Sequence, residues 1–380
     1  MAPIFRICTK LTYPVFLAVV IMGPLFLAAD GTIFSPLRDK ASYEAVVKAQ
    51  PSVKGQADLR LLSHRLIRYD EQKGFVTHEV AALARGNTLS FFRTVDEQCD
   101  RNTITGFMAC ANKILGSQFY YRSSDAVADA WANRYSDCDL NSYLLMDAMR
   151  SAGFTARIVY SPGHAFISFT DEFGNIHFQE TTEDNNKGKN ADLTDPFYRK
   201  TLPGFYYQPQ DEAYAERIYP ILTAGRLSEK DGRQLSSDML DVLPDNPLVQ
   251  DVFFHFRMPL TDADAVQLKS LLVTDISSST KRMMLTRYYL RAKKNEMAAG
   301  YMEQIDDALC NNSCLELKAD IDLEYKTFLF IKKYFSKDAT ILMIKQMFAY
   351  VIVLYFSLIL ALLVLQVMYW WLARLKGKEE

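Results

Sequence analysis

The sequence predicts an α+β protein: a helix packed against an antiparallel sheet, joined to a mostly helical region and flanked by two transmembrane helices. Three observations predict it. A helical apolar pattern beginning at Cys138 runs directly into segments that alternate like strands. Residues 195 to 335 carry helical apolar spacing almost throughout. Both ends of the chain hold uncharged apolar runs long enough to span a bilayer.

The first apolar run is Leu11 to Ala29, preceded by Arg6 and Lys10. A cleaved signal peptide has the same outline, but the position three before a cut at Ala29 is Leu27, not a small residue, which favours an uncleaved anchor over 11–29. The second run lies within 346–373. Tyr369, Trp370 and Trp371 stand where an interfacial aromatic belt belongs, and Arg374, Lys376 and Lys378 follow. Positive residues at the outer end of each span put both termini in the cytoplasm, although Lys332, Lys333, Lys337 and Lys345 pull the other way. The expected location is therefore the cell membrane, of the bacterial inner-membrane type, with the main domains periplasmic or extracellular. A net charge of -2 offers no basic field for nucleic acid, and an aromatic share of 13% argues against disorder.

Between the spans, 35–94 reads as a helical N-terminal region, with ASYEAVVKAQ and ADLRLLSHRLI both spaced for helices. A further helix is expected over 104–116. From Cys138, Leu140, Leu144, Leu145, Ala148, Met149 and Ala152 share one helical face, and Gly153 is a C-cap candidate. Phe154 to Tyr160 alternates as a first strand. Pro162 and Gly163 break it, a second strand starts at His164, DEFGN turns, and NIHFQETT forms a third. The polar run EDNNKGKNAD is a loop, after which 195–335 forms a helical domain able to bind a protein partner.

Six cysteines divide by position. Cys8 precedes the first span and should be reduced. In an exported domain, local spacing pairs Cys99 with Cys110 and Cys310 with Cys314, leaving Cys138 as the odd thiol. Cys138 opens a helix between Asp137 and Asp139 instead of lining the middle of one. His164 and Glu180 follow at gaps of 26 and 16 residues, on strands that a hairpin brings together. A helix N-terminus and an adjacent imidazolium both favour thiolate, so the Cys138 pKa is expected below that of a free thiol. Glu180 would hold the His164 ring in the right tautomer. His177 is an alternative third group, as in a Cys-His-His amidase of the NlpC/P60 kind. No paired ligand spacing suggests zinc, and no cofactor or metal is expected.

The segment SDCDLNSYLLMDAMRSAGFTARIV resembles the nucleophile segment of the transglutaminase-like superfamily. The resemblance runs through Arg150, Gly153, Phe154, Ala156, Arg157, Ile158 and Val159, then GHAFISF and GNIHFQETT. It covers about 95–185, and departs from the family where Ser136 replaces a common Gly and where His177 stands near a usual Trp. It implies a papain-like core and a Cys138–His164–Glu180 catalytic triad. It also implies an enzyme acting on a peptide or carboxamide bond, protease or amidase by hydrolysis, or acyltransferase. The substrate would be a protein or peptide at the cell envelope. The competing reading is an inactive, membrane-tethered scaffold.

Overall fold

The computed structural model describes residues 43–44, 52–182, 190–194, 204–276, 278–305, 310 and 312–321. The expected spans over 11–29 and 346–373 lie outside these. Among the described residues no helix is long and apolar enough to cross a membrane. The chain divides into two units, one of Phe34–Cys310 and one of Met1–Ile33 with Asn311–Glu380. In the second unit the described part is a single helix, Asn312–Ile321.

In the larger unit four helices come first: α1 (Leu62–Gln72), α2 (His78–Gln98), α3 (Ile104–Gln118) and α4 (Val127–Ala132). Two short strands, β1 (Tyr120–Tyr121) and β2 (Tyr135–Ser136), pair in parallel on either side of α4. Helix α5 (Cys138–Ser151) follows at once. Its N-cap is Asp137, whose side chain accepts from the Leu140 N–H. It ends where Gly153 takes φ +85°, so that the Phe154 N–H reaches back to the Met149 carbonyl at 2.9 Å. That left-handed conformation suits glycine, which has no Cβ to clash. Ten consecutive residues, Leu140 to Met149, are buried. The helix is thus enclosed on every side, beyond the single apolar face read from the sequence.

The sheet is antiparallel with order β5-β4-β3-β6, formed by β3 (Ala156–Ser161), β4 (His164–Thr170), β5 (Ile176–Gln179) and β6 (Pro209–Gln210). Pro162 and Gly163, the latter at φ +72°, turn the chain between β3 and β4, so that His164 pairs with Ser161 and Ala165 with Tyr160. The β4–β5 hairpin turns on Asp171, whose Oδ1 accepts from the N–H groups of Phe173 and Asn175 at 2.9 and 2.8 Å. Helix α5 lies on β3 and β4, and one hydrophobic core joins it to α1 through α4 and to the start of the later helices. The α+β class holds, with a helix on an antiparallel sheet.

Two helices in this core lack local caps. Neither Leu61, before α1, nor Ala126, before α4, offers a side-chain acceptor. Buried aspartates from elsewhere take their place. Asp147 of α5 accepts from the N–H groups of Leu62 and Ser63, both at 2.8 Å, and Asp70 of α1 accepts from the Ala128 N–H at 2.9 Å. Beyond the sheet run α6 (Glu212–Leu222), α7 (Glu229–Val242), α8 (Pro247–Phe256), α9 (Asp262–Leu271), α10 (Ser279–Arg291) and α11 (Asn295–Glu303). The fully buried Lys281 of α10 is neutralised there by Asp251 and Asp275 at 2.7 and 2.9 Å. Cys99 and Cys110 form a disulfide, and Cys310 and Cys314 are each disulfide-bonded.

Candidate active site

Cys138 is the first residue of α5, and its thiol is free and half-buried. The turn that carries it is held from several directions. Asp137 accepts from the Leu140 N–H through Oδ1 and, through Oδ2, from the Ser124 N–H at 2.7 Å, tying the loop before α4 to the head of α5. The Cys138 carbonyl accepts from the Ser142 hydroxyl at 2.8 Å and from the Thr181 hydroxyl at 3.2 Å. The Ala165 N–H of β4 acts on the thiol and pulls its pKa down. Pairing of β4 with β5 ends at the Ile167–Gln179 rung, two residues beyond Ala165 along β4. The head of α5 thus meets β4 where the β5 ladder has stopped.

His164 opens β4, and its Nε2 lies 2.8 Å from Oε2 of Glu180. Glu180 is fully buried. Its other oxygen accepts from the Thr181 N–H at 3.0 Å and the Thr182 hydroxyl at 3.4 Å. Against an ionised carboxylate, Nε2 is the donor of that contact. The third strand is shorter than NIHFQETT suggested: β5 stops at Gln179, and Glu180 stands just past it.

The sequence-predicted residues therefore separate cleanly. His164 and Glu180 are in direct contact, and the Ala165 N–H beside His164 pulls on the Cys138 thiol. His177 is elsewhere. It pairs across the sheet with Phe169, whereas Glu180 follows the alternation of Phe178, which pairs with Ser168 on the face of His164. The His177 Nε2 lies 2.8 Å from Asp171, and its ring stacks on Phe169. It does not serve as third group to His164.

The electrostatics depart from expectation. Burial pushes the Cys138 thiol well above its ordinary value, and Asp139 and Asp137 push it further in the same direction. The N–H groups of Ala165 and Asp139 offset this only in part. A helix N-terminus favours thiolate, but here desolvation and two flanking acids outweigh it. Asp139 hydrogen-bonds to Asp137, an arrangement in which one acid holds a proton. Burial, and then the Asp137 charge, raise the Asp139 pKa well above the usual carboxylate range.

Sequence reasoning missed two buried amides. Asn112 on α3 donates to the Glu180 carbonyl at 3.0 Å, and Asn141 on α5 donates to the Thr181 carbonyl at 2.7 Å. The available signal was a single asparagine in each of these two helices. A cavity of about 410 Å³, lined among others by Phe205, Tyr214, Leu243 and Asn246, adjoins the sheet through the stack of Phe205 on Tyr160. Neither Cys138, His164 nor Glu180 lines it. No family model matches the chain, and no curated protein matches it.

Proposed function

We propose that the chain is a membrane-anchored, transglutaminase-like cysteine enzyme with a papain-like core, acting on a peptide or carboxamide bond through Cys138, His164 and Glu180. One observation carries the reading. A fully buried Glu180 holds the ring of His164 at 2.8 Å, and the free thiol of Cys138 opens the helix that packs on β4, the strand His164 begins. The arrangement supports a nucleophile, a base and an orienting acid in that order.

The raised thiol pKa sets the course of the chemistry. Cys138 does not wait as a thiolate; His164 removes its proton through Nδ1 as the sulfur attacks the carbonyl carbon. Glu180 stabilises the imidazolium that results and carries no proton itself. The oxyanion accepts a hydrogen bond from the Cys138 N–H, which sits at the open end of the helix. Collapse of the tetrahedral adduct breaks the C–N bond, and the leaving amine takes the proton from His164. Water then cleaves the thioester with His164 as base, regenerating the thiol. No step needs a cofactor.

The apolar segments 11–29 and 346–373 support tethering to the membrane, with a protein or peptide at the cell envelope as substrate and the helices of 195–335 as a docking surface for it or for a partner. The test is a comparison of wild type with Cys138→Ala in cells and in substrate trapping. Loss of a cleaved or released envelope product in Cys138→Ala, with that product's precursor retained on the variant, is expected. Full function of Cys138→Ala at equal abundance would defeat the reading and leave a scaffold.

A further inference from the structure

Three buried backbone positions beyond β5 have to be held without a ladder. Glu180, Thr181 and Thr182 follow the last rung of the β4–β5 pairing, yet all three are buried. Buried carbonyls need donors. Those of Glu180 and Thr181 take theirs from side chains of two different helices, Asn112 of α3 at 3.0 Å and Asn141 of α5 at 2.7 Å. Both asparagines are buried, at 0% and 4% exposure, so neither bond competes with bulk water.

The bonds close into a loop around the candidate site. Asn141 stands three residues after Cys138 and holds Thr181. Thr181 returns its hydroxyl to the Cys138 carbonyl at 3.2 Å, and its N–H to Glu180 Oε1 at 3.0 Å. The other carboxylate oxygen holds His164. Any drift of this segment therefore moves Glu180 away from His164 and loosens the head of α5 together. The geometry points to Asn112 and Asn141 as positioning residues: an amide clamp that replaces the sheet ladder and holds Glu180 on His164. This rests on the function proposed above.

A purely structural role would cost stability alone, so the readouts have to be local to His164 and Cys138. Two are available on the full chain without a substrate. The first is the rate of Cys138 alkylation by iodoacetamide near neutral pH, where His164 must take the thiol proton. The second is the His164 tautomer, read by long-range nitrogen–proton correlation on histidine-labelled protein. Asn112→Ala and Asn141→Ala are compared with His164→Ala and with Gln118→Ala. Gln118 is another fully buried amide of α3, bonded to Thr94 at 2.9 Å and remote in the network from Glu180.

The clamp variants should react roughly 10-fold more slowly, short of the ~100-fold that a misplacement of 1 Å can cost. They should also show His164 as mixed tautomers where wild type has the proton on Nε2, while Gln118→Ala matches wild type in both. Should a clamp variant fail to fold, the isosteric Thr181→Val, which removes the hydroxyl from the Cys138 carbonyl, is read the same way. Wild-type rate with a single tautomer in the clamp variants would overturn the proposal, as would an equal slowing in Gln118→Ala. His164→Ala reacting like wild type is a separate result: it removes the catalytic reading itself.

Discussion

Glu180 tests the candidate site most sharply at the scale of one residue. Glu180→Gln keeps the size of the side chain but can turn an N–H toward the N–H of His164, where a carboxylate had accepted. The equivalent acid-to-amide change in the serine-protease template costs about 10⁴ in turnover; a cysteine nucleophile depends less on its base, and a loss of roughly 10 to 10³ is expected. His177→Ala should leave turnover within about two-fold, because His177 is committed to Asp171 and Phe169; the order-of-magnitude basis is that surface substitutions away from a site rarely matter. Steady-state rates on a trapped substrate check both. An inert Glu180→Gln beside a crippled His177→Ala would reverse the assignment. The thiol offers a second check. Since burial raises its pKa, alkylation of Cys138 in His164→Ala should be slow at pH 7 and climb only on the alkaline side of an ordinary thiol. A rate that levels off below pH 8 would contradict the burial argument.

At the scale of elements, the candidate site was legible wherever contacts are local in the chain. The helix starting at Cys138, the Pro162–Gly163 turn and the strand from His164 all follow from patterns a few residues long. The same hairpin logic brought Glu180 near His164. What remained hidden depends on long-range partners. Nothing near Leu62 announces that the cap of α1 comes from Asp147, 85 residues away, and nothing near Thr181 announces Asn141. The pKa of Cys138 was misjudged for the same reason: helix position is readable, whereas the packing that desolvates the sulfur is not. These remote caps carry a measurable load. Asp147→Ala leaves the buried N–H groups of Leu62 and Ser63 without an acceptor and frees α1 from α5. A loss of about 2–5 kcal/mol is expected, several times a surface substitution. Urea denaturation measures it; a change below about 1 kcal/mol would mean that water satisfies those groups as well as Asp147 does.

For the whole molecule, the buried aspartates set how stability responds to pH. Burial raises Asp70 and Asp147 to about 6, against pulls from their hydrogen bonds. Asp251, raised to about 6 by burial despite Lys281, adds in the same sense. A carboxyl whose folded pKa lies above its unfolded value of 3.8 binds its proton more tightly in the folded state. Its contribution is fully present below 3.8 and is lost as pH rises through about 6. His64 opposes this. Burial depresses it from 6.5 to about 4, so the folded state resists its proton and gains stability as pH rises across nearly the same window. Two deeply buried carboxyls and a third partly exposed one, joined by Asp137 and Asp139, which burial raises in the same direction, stand against one imidazole, and the carboxyls prevail. Asp58 and Asp171, both lowered by hydrogen-bonded partners, act only in more acidic solution. Chemical denaturation of the full chain at pH 4.5, 5.5 and 6.5 should therefore show stability falling with each step. His64→Gln should steepen the fall and Asp70→Asn should flatten it. Stability that rises from pH 4.5 to 6.5 in the wild type would mean that His64 outweighs the carboxyls, and that Asp70 and Asp147 are ionised when the protein folds.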